Sequence, residues 1–132
     1  MDHIIQPIPD YVNRLATVSM DVAYEVHTEL GPGLSEKAYE LGLIEEFQLR
    51  NIKAKRQVYQ PVRYKGRKIK AFYRIDILVE DKLILEIKTV EALQTIHRQQ
   101  LLTYLKQSGR RLGLLMNFNT LHMKDGIWRV AL

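Results

Sequence analysis

Apolar residues in the first third of the chain recur at the three- and four-residue spacing of amphipathic helices. The spacing predicts a first helix from Tyr11 to Leu30, stopped by Gly31-Pro32-Gly33, and a second helix from Ser35 to Arg50. The apolar face of the first helix consists of Leu15, Val18, Val22 and Val26. The buried stripe of the second consists of Tyr39, Leu43 and Phe47. Two amphipathic helices therefore precede the rest of the fold.

After Asn51 the apolar period changes from that of a helix to the two-residue alternation of strands. A turn is expected at Lys65-Gly66-Arg67-Lys68, and a further helix interrupts the strands. The predicted strands are Ala54 to Tyr64, Ile69 to Glu80, Leu83 to Lys88, Arg111 to Phe118 and Ile127 to Ala131, with the helix from Leu93 to Gln107. The order α-α-β-β-β-α-β-β predicts an α/β fold with a mixed sheet flanked by helices, in a single domain over residues 1–132.

Composition excludes several classes of protein. Hydrophobic residues make up 46% and charged residues 27% of the chain, as in an ordinary globular domain. The chain has no cysteine, which excludes disulfides and thiolate metal sites and fits the cytoplasm, where we expect the protein. Apolar runs are too short to span a membrane, and Asp2 and His3 do not suit a secretory signal.

The positive charge is concentrated in one segment. The net charge is +5, and ten of the twenty basic residues lie between Phe47 and Ile75, a segment without Asp or Glu. Such a segment attracts polyanions, because each phosphate contact releases condensed counterions. Basic side chains on a solvated pair of strands also prevent edge aggregation, and on charge alone the two interpretations are equally good. The residues we expect to contact nucleic acid are Lys53, Lys55, Arg56, Arg63, Lys65, Arg67, Lys68 and Lys70.

Apolar matching between the second and third strands predicts their register. If Asp76 lies opposite Glu86, Val79 pairs with Leu83, and Glu80-Asp81-Lys82 forms the connection. One face of the pair is then wholly apolar, and the other carries the polar residues. The apolar set is Ile75, Ile77, Val79, Leu83, Leu85 and Ile87, and the polar set is Asp76, Glu80, Glu86 and Lys88.

That register brings two carboxylates and an ammonium group together at Asp76, Glu86 and Lys88. The two carboxylates would raise each other's pKa, and a divalent cation with oxygen ligands, Mg²⁺ or Mn²⁺, would relieve the repulsion. Such a cation activates water and stabilises the charge of a phosphate under attack, which Lys88 could also do. The competing interpretation is a solvent-exposed Glu86–Lys88 salt bridge on an amphipathic strand, which is the usual meaning of an isolated E-x-K.

Residues on two helices could join this cluster. Glu36 lies in the first turn of the second helix, where the helix dipole alone would also favour a carboxylate. On the third helix, three polar residues share a stripe with Leu93, which is unusual for a buried face. They are His97, Gln100 and Tyr104, and partial burial with satisfied polar ends is the alternative for His97 and Tyr104.

The motifs in this order resemble those of the PD-(D/E)XK nuclease superfamily. Asp76 precedes Glu86-Ile87-Lys88 on the next strand, and Gln100-Leu101-Leu102-Thr103-Tyr104 is similar to the QxxxY motif of RecB-type members. The segment from Gly33 to Tyr39 matches G-x-x-E-x-x-Y, which names the GxxExxY family of small bacterial and archaeal proteins. The segment from Gly113 to Phe118 is similar to that family's GLLINF strand. The proline of the "PD" pair is replaced by Ile75.

The resemblance implies a restriction-endonuclease-like αβββαβ core, with an extra N-terminal helix and a C-terminal strand. It implies that Glu36, Asp76 and Glu86 bind the metal, that Lys88 is the catalytic lysine, and that Gln100 and Tyr104 support the site or contact nucleic acid.

Three functions follow as hypotheses. The first is a Mg²⁺- or Mn²⁺-dependent nuclease that hydrolyses phosphodiester bonds, with DNA as the expected substrate and the basic strands along its backbone. The second is a nucleic-acid-binding module on the same fold with little or no hydrolysis, and the third is a basic surface for an acidic protein partner. A domain of 132 residues is small for gripping a duplex alone, so a homodimer is an open alternative.

Overall fold

The computed structural model describes residues 6–132, so Met1, Asp2 and His3, on which the expectation of no secretory signal partly rests, lie outside it. Two helices come first, α1 (Asp10–Leu30) and α2 (Glu36–Leu49). Ser35 caps α2, because its hydroxyl accepts a hydrogen bond from the Ala38 N–H at 3.2 Å. Within residues 6–132, the helices lack the combination of length and apolar character that crossing a membrane requires.

A five-stranded mixed sheet follows, with the strands side by side in chain order. Its strands are β1 (Ala54–Tyr64), β2 (Arg67–Val79), β3 (Leu83–Lys88), β4 (Leu112–Asn117) and β5 (Ile127–Ala131). β3 and β4 are parallel and are joined through the crossover helix α3 (Thr95–Ser108), whereas the other neighbouring strands are antiparallel. A 3₁₀ turn, Met123–Gly126, precedes β5. The predicted α/β fold and element order are confirmed.

Helices cover both faces of the sheet. The larger apolar cluster lies between the sheet and helices α1 and α2, and includes Val22, Leu43, Ile77 and Leu85. The smaller cluster lies beneath α3. Its buried members are Ile75, Leu78, Ile84, Leu101, Leu105, Leu115 and Val130. The expectation that one face of β2 and β3 is polar is therefore wrong over most of its length, because α3 buries that face.

The predicted register between β2 and β3 is confirmed. Val79 pairs with Leu83, and Ile77 pairs with Leu85. In the connection, the Lys82 N–H donates to the Val79 carbonyl at 2.9 Å, while Glu80 and Asp81 have φ values of 49° and 60°. A four-residue turn with two positive φ values is of type I′, which suits the twist of the flanking strands. Glu80 and Asp81 thus adopt the left-handed conformation in this turn.

An irregularity at Gln57 changes which faces the neighbouring side chains occupy. Gln57 has a φ of 57° inside β1, between the pairs Arg56–Ile77 and Val58–Ile75. Ile77 packs in the α1–α2 cluster, whereas Ile75, two residues earlier, packs under α3. Regular alternation would put both on one face. The prediction that Ile75 shares the face of Ile77 is therefore wrong, and the site described next lies where the alternation reverses.

Candidate active site

The carboxylates of Asp76 and Glu86 each accept a hydrogen bond from a backbone amide of the neighbouring strand. The Asp76 N–H donates to Glu86 Oε2 at 2.9 Å, and the Ile87 N–H donates to Asp76 Oδ2 at 2.9 Å. These bonds lie just beyond the last backbone pair of β2 and β3, Ile77–Leu85. The carboxylates therefore satisfy amide groups where the two strands stop pairing, which fixes both side chains.

Both carboxylates are buried and hold their protons more tightly than exposed ones. Asp76 as a whole residue is 8% exposed, and Glu86 is 4% exposed. Burial, and after it the negative charge of Asp76, raise the pKa of Glu86 to about 8. Burial also raises the pKa of Asp76, while its hydrogen bond from the Ile87 N–H acts in the opposite direction. Near neutral pH, the pair therefore favours a state that carries fewer than two negative charges.

Lys88 and two residues of α3 border the same cleft, which has a volume of about 320 Å³. The Lys88 ammonium donates to Gln100 Oε1 at 3.3 Å, so the expected approach of Gln100 to Lys88 is present. Tyr104 lies one helical turn beyond Gln100, with its ring 4.8 Å from that of Tyr73. Burial, followed by the charges of Glu86 and Asp76, raises the pKa of the Tyr104 hydroxyl. His97 is not part of the cleft lining, since its Nδ1 accepts from the Gln94 N–H in the capping box of α3.

Glu36 also lines the cleft, from the first turn of α2, where its side chain is exposed. All six residues predicted for the site therefore border one cavity. Within residues 6–132, however, no set of three or more His, Asp or Glu side chains is arranged to hold a metal ion. The buried pair Asp76–Glu86 is consequently the part of the predicted ligand set that is already assembled.

Besides Ile87, the cleft is lined by two residues that the sequence did not place there, Arg74 and Tyr59. The Arg74 guanidinium lies 3.3 Å from Asp76 Oδ1, and its side chain is half-exposed. The sequence could have indicated Arg74, because residues two apart on a regular strand share a face and Arg74 is two residues before Asp76. Tyr59 is the β1 partner of Arg74, so it could be assigned only after the β1–β2 register was known.

Glu40 is a buried carboxylate beside the site that the sequence analysis also missed. The Gln57 side-chain amide donates to both of its oxygens, at 2.7 and 3.0 Å, and Arg56 Nε lies 2.9 Å from Oε1. The Glu40 charge also acts to raise the pKa of Asp76. Through Gln57, Glu40 thus anchors the residue at which the faces of β1 and β2 reverse. The sequence did indicate its burial, because Glu40 lies three residues before Leu43 and seven before Phe47 and so shares their buried stripe on the helix.

The predicted nucleic-acid-binding residues are all exposed but occupy several places. Lys53 and Lys55 line a different cleft, together with Leu78 and Glu80. Arg56 is paired with Glu40 beside the site. The remaining five lie on the outer half of the β1–β2 hairpin. They are Arg63, Lys65, Arg67, Lys68 and Lys70. The charged segment of the sequence is therefore divided among three surfaces, and only part of it lies near the cleft.

A match to a family model agrees with this arrangement. A family model described as the PD-(D/E)XK nuclease superfamily matches residues 13–130. A solved structure described as "Crystal structure of SSO0001" is similar over 92% of this chain, with 18% sequence identity and a TM-score of 0.49. This chain spans 61% of the length of that protein. The search of proteins with curated functions found no match. The range matched by the family model contains every residue that lines the cleft.

Proposed function

The chain belongs to the PD-(D/E)XK nuclease superfamily, and from this premise we propose that it is a divalent-metal-dependent nuclease that hydrolyses phosphodiester bonds, with DNA as its substrate. The observation that carries the proposal is the buried pair Asp76–Glu86 with Lys88 beside it in one open cleft. We further propose that the chain is a member of the GxxExxY subfamily, on the motif from Gly33 to Tyr39.

The donor set of the cleft fits a hard cation such as Mg²⁺ or Mn²⁺. Its donors are carboxylate oxygens, which these ions prefer. The hydrogen bonds from the backbone use Asp76 Oδ2 and Glu86 Oε2, so we assign metal binding to Glu86 Oε1 and to Asp76 Oδ1, where the metal would take the place of the Arg74 guanidinium that lies 3.3 Å away. Two buried carboxylates whose pKa values are raised are stabilised as anions by a cation. Glu36, exposed at the rim, is the proposed third ligand.

The bound metal would lower the pKa of a coordinated water and polarise the phosphate. The residues of the chain then have separate tasks. Asp76 and Glu86 lie rigidly in place, because each accepts a backbone hydrogen bond from β2 or β3. Lys88, held by Gln100 at 3.3 Å, points its ammonium at the charge that develops on the phosphate. Arg74 lies beside Asp76 and is free enough in solvent to contact a neighbouring phosphate.

A cleavage assay with point variants tests the proposal. Labelled DNA and RNA oligonucleotides would be incubated with Mg²⁺, Mn²⁺ or EDTA, and the products resolved on a denaturing gel. We expect cleavage of DNA with metal, none with EDTA, and a loss of at least a hundredfold in Asp76→Asn and Lys88→Met. Lys82→Met removes an exposed lysine outside the cleft and is the matched control, expected to cleave like the parent. Equal rates in Lys88→Met and the parent would reject the role of Lys88.

The second candidate function is a nucleic-acid-binding module with little or no hydrolysis. It is favoured by the lack, within residues 6–132, of a third acidic or histidine side chain in position to complete a metal site. The two candidates differ in one result. If the parent binds DNA with Mn²⁺ present and leaves every oligonucleotide intact, the binding module is the better account.

A further inference from the structure

The β1–β2 hairpin carries exposed aromatic rings on the face that leads into the cleft. Tyr59 pairs with Arg74, and Pro61 pairs with Phe72. Side chains of directly opposed residues point to the same side of a sheet, and positions two apart on a strand share a face. Since Tyr59 and Arg74 both border the cleft, Phe72 continues the same face outward, about 13 Å from Asp76 along β2.

These rings are unusually exposed for aromatic residues in the interior of strands. Tyr59 is 65% exposed and Phe72 is 68% exposed. On the opposite face of the same strands, Val58 and Tyr73 pack beneath α3. One face of the hairpin therefore packs against the protein, and the rings on the other face remain available to a ligand.

The charge around the rings identifies the kind of ligand. Arg74 lies directly opposite Tyr59, and Lys70 is an exposed cation two residues before Phe72 in β2. The sequence from Phe47 to Ile75 contains no acidic residue. A surface that alternates aromatic rings with cations fits a polyanion that also presents flat apolar faces, which describes nucleic acid with unstacked bases.

We propose that Tyr59 and Phe72 are stacking platforms for unpaired bases, so that the cleft receives a single-stranded segment of nucleic acid. In a duplex the bases stack on one another and cannot lay a face on these rings, whereas a single strand can. Arg74 and Lys70 then contact the phosphates beside the stacked bases. The proposal rests on the proposed function of the same cleft and specifies the form of its substrate.

Binding measured without metal tests this proposal separately from hydrolysis. Fluorescence anisotropy in EDTA would compare a single-stranded oligodeoxynucleotide, a blunt duplex of the same sequence, and a single strand with a central run of abasic sites. We expect the intact single strand to bind tightest. Tyr59→Ala and Phe72→Ala should each weaken its binding by about five- to a hundredfold, with little effect on the duplex.

Two kinds of control isolate stacking. Tyr59→Phe and Phe72→Tyr keep the rings and should bind like the parent. Tyr64→Ala removes a ring of similar exposure, 62%, that lies at the end of β1 and does not line the cleft, and should also bind like the parent. The comparison of intact and abasic strands on the parent protein needs no variant, so it decides the question even if an alanine variant folds poorly.

The opposite results would overturn the proposal. If the duplex binds as tightly as the single strand, or if the abasic strand binds as tightly as the intact one, the rings do not stack on bases. If the preference for intact single strands holds but Mn²⁺ produces no cleavage, the proposed hydrolysis is wrong and the stacking surface stands. If Mn²⁺ produces cleavage and the preference is absent, only the stacking proposal fails.

Discussion

Replacing Glu86 with glutamine should change how the stability of the metal-free protein depends on pH. The pKa of Glu86 is raised from 4.5 to about 8 in the folded state, chiefly by burial. Between these two values, the folded state keeps a proton that the unfolded state has released. The free energy of unfolding therefore falls with rising pH, by at most about 1.4 kcal/mol per pH unit from this group. Above pH 8 the loss is complete.

Glu86→Gln removes this titration and preserves the local hydrogen bond, because the glutamine carbonyl can still accept from the Asp76 N–H. The free energy of unfolding of the variant minus that of the parent should thus grow from pH 5 to pH 8, to several kcal/mol. Asp76, whose pKa is also raised, chiefly by burial, contributes a slope of the same sign that the variant retains in part.

Urea denaturation in EDTA, followed by circular dichroism at half-unit steps from pH 5 to pH 9, measures this difference. Glu36→Gln, which removes an exposed carboxylate from the rim of the same cleft, is the matched control with which the curve of Glu86→Gln is compared. Parallel curves for Glu86→Gln and the parent would refute the reasoning, because they would mean that Glu86 titrates alike in the folded and unfolded states.

Three other substitutions have defined outcomes. Reversing Lys65, Arg67 and Lys68 to glutamate should weaken DNA binding and flatten its dependence on salt concentration, as measured by anisotropy across a salt series; an unchanged slope would exclude phosphate contacts there. Lys65→Asn should raise the free energy of unfolding by about 1 kcal/mol, because Lys65 has a φ of 51° beside Gly66 and Asn-Gly suits a type I′ turn. Gly113→Ala should cost about 1–3 kcal/mol in the same urea assay, since its Cβ would lie 2.8 Å from the buried Leu101 side chain.

The site could be anticipated from sequence where its geometry follows from regular strands. Apolar matching was enough to choose the β2–β3 register, because a shift of one residue would have put Glu86 and Lys88 on the face of Ile77 and Val79. That register brings Asp76 opposite Glu86, and the E-x-K spacing adds Lys88. The helix α3 contributes Gln100 and Tyr104 through four-residue spacing, which any helix preserves.

The features that the sequence did not predict depend on local departures from regular secondary structure or on contacts between distant residues. Gln57 has a positive φ inside a strand, a conformation that is common only for glycine, asparagine and aspartate. The sequence therefore offered no reason to expect that Ile75 and Ile77 lie on opposite faces of the sheet. The turn between β1 and β2 is shorter than the predicted Lys65-Gly66-Arg67-Lys68, so β2 begins at Arg67 instead of Ile69. Glu40 was missed because a buried carboxylate becomes plausible only when its partners are known, here Gln57 and Arg56.

The central claim is that Asp76 and Glu86 bind a divalent cation in the cleft. Crystals soaked in Mn²⁺, with anomalous diffraction data collected for the parent and for Asp76→Asn, test it most directly. We expect an anomalous peak within about 2–2.5 Å of a carboxylate oxygen of both Asp76 and Glu86 in the parent, and its loss in the variant. A parent crystal with occupied Mn²⁺ sites elsewhere and no peak between these two carboxylates would contradict the account.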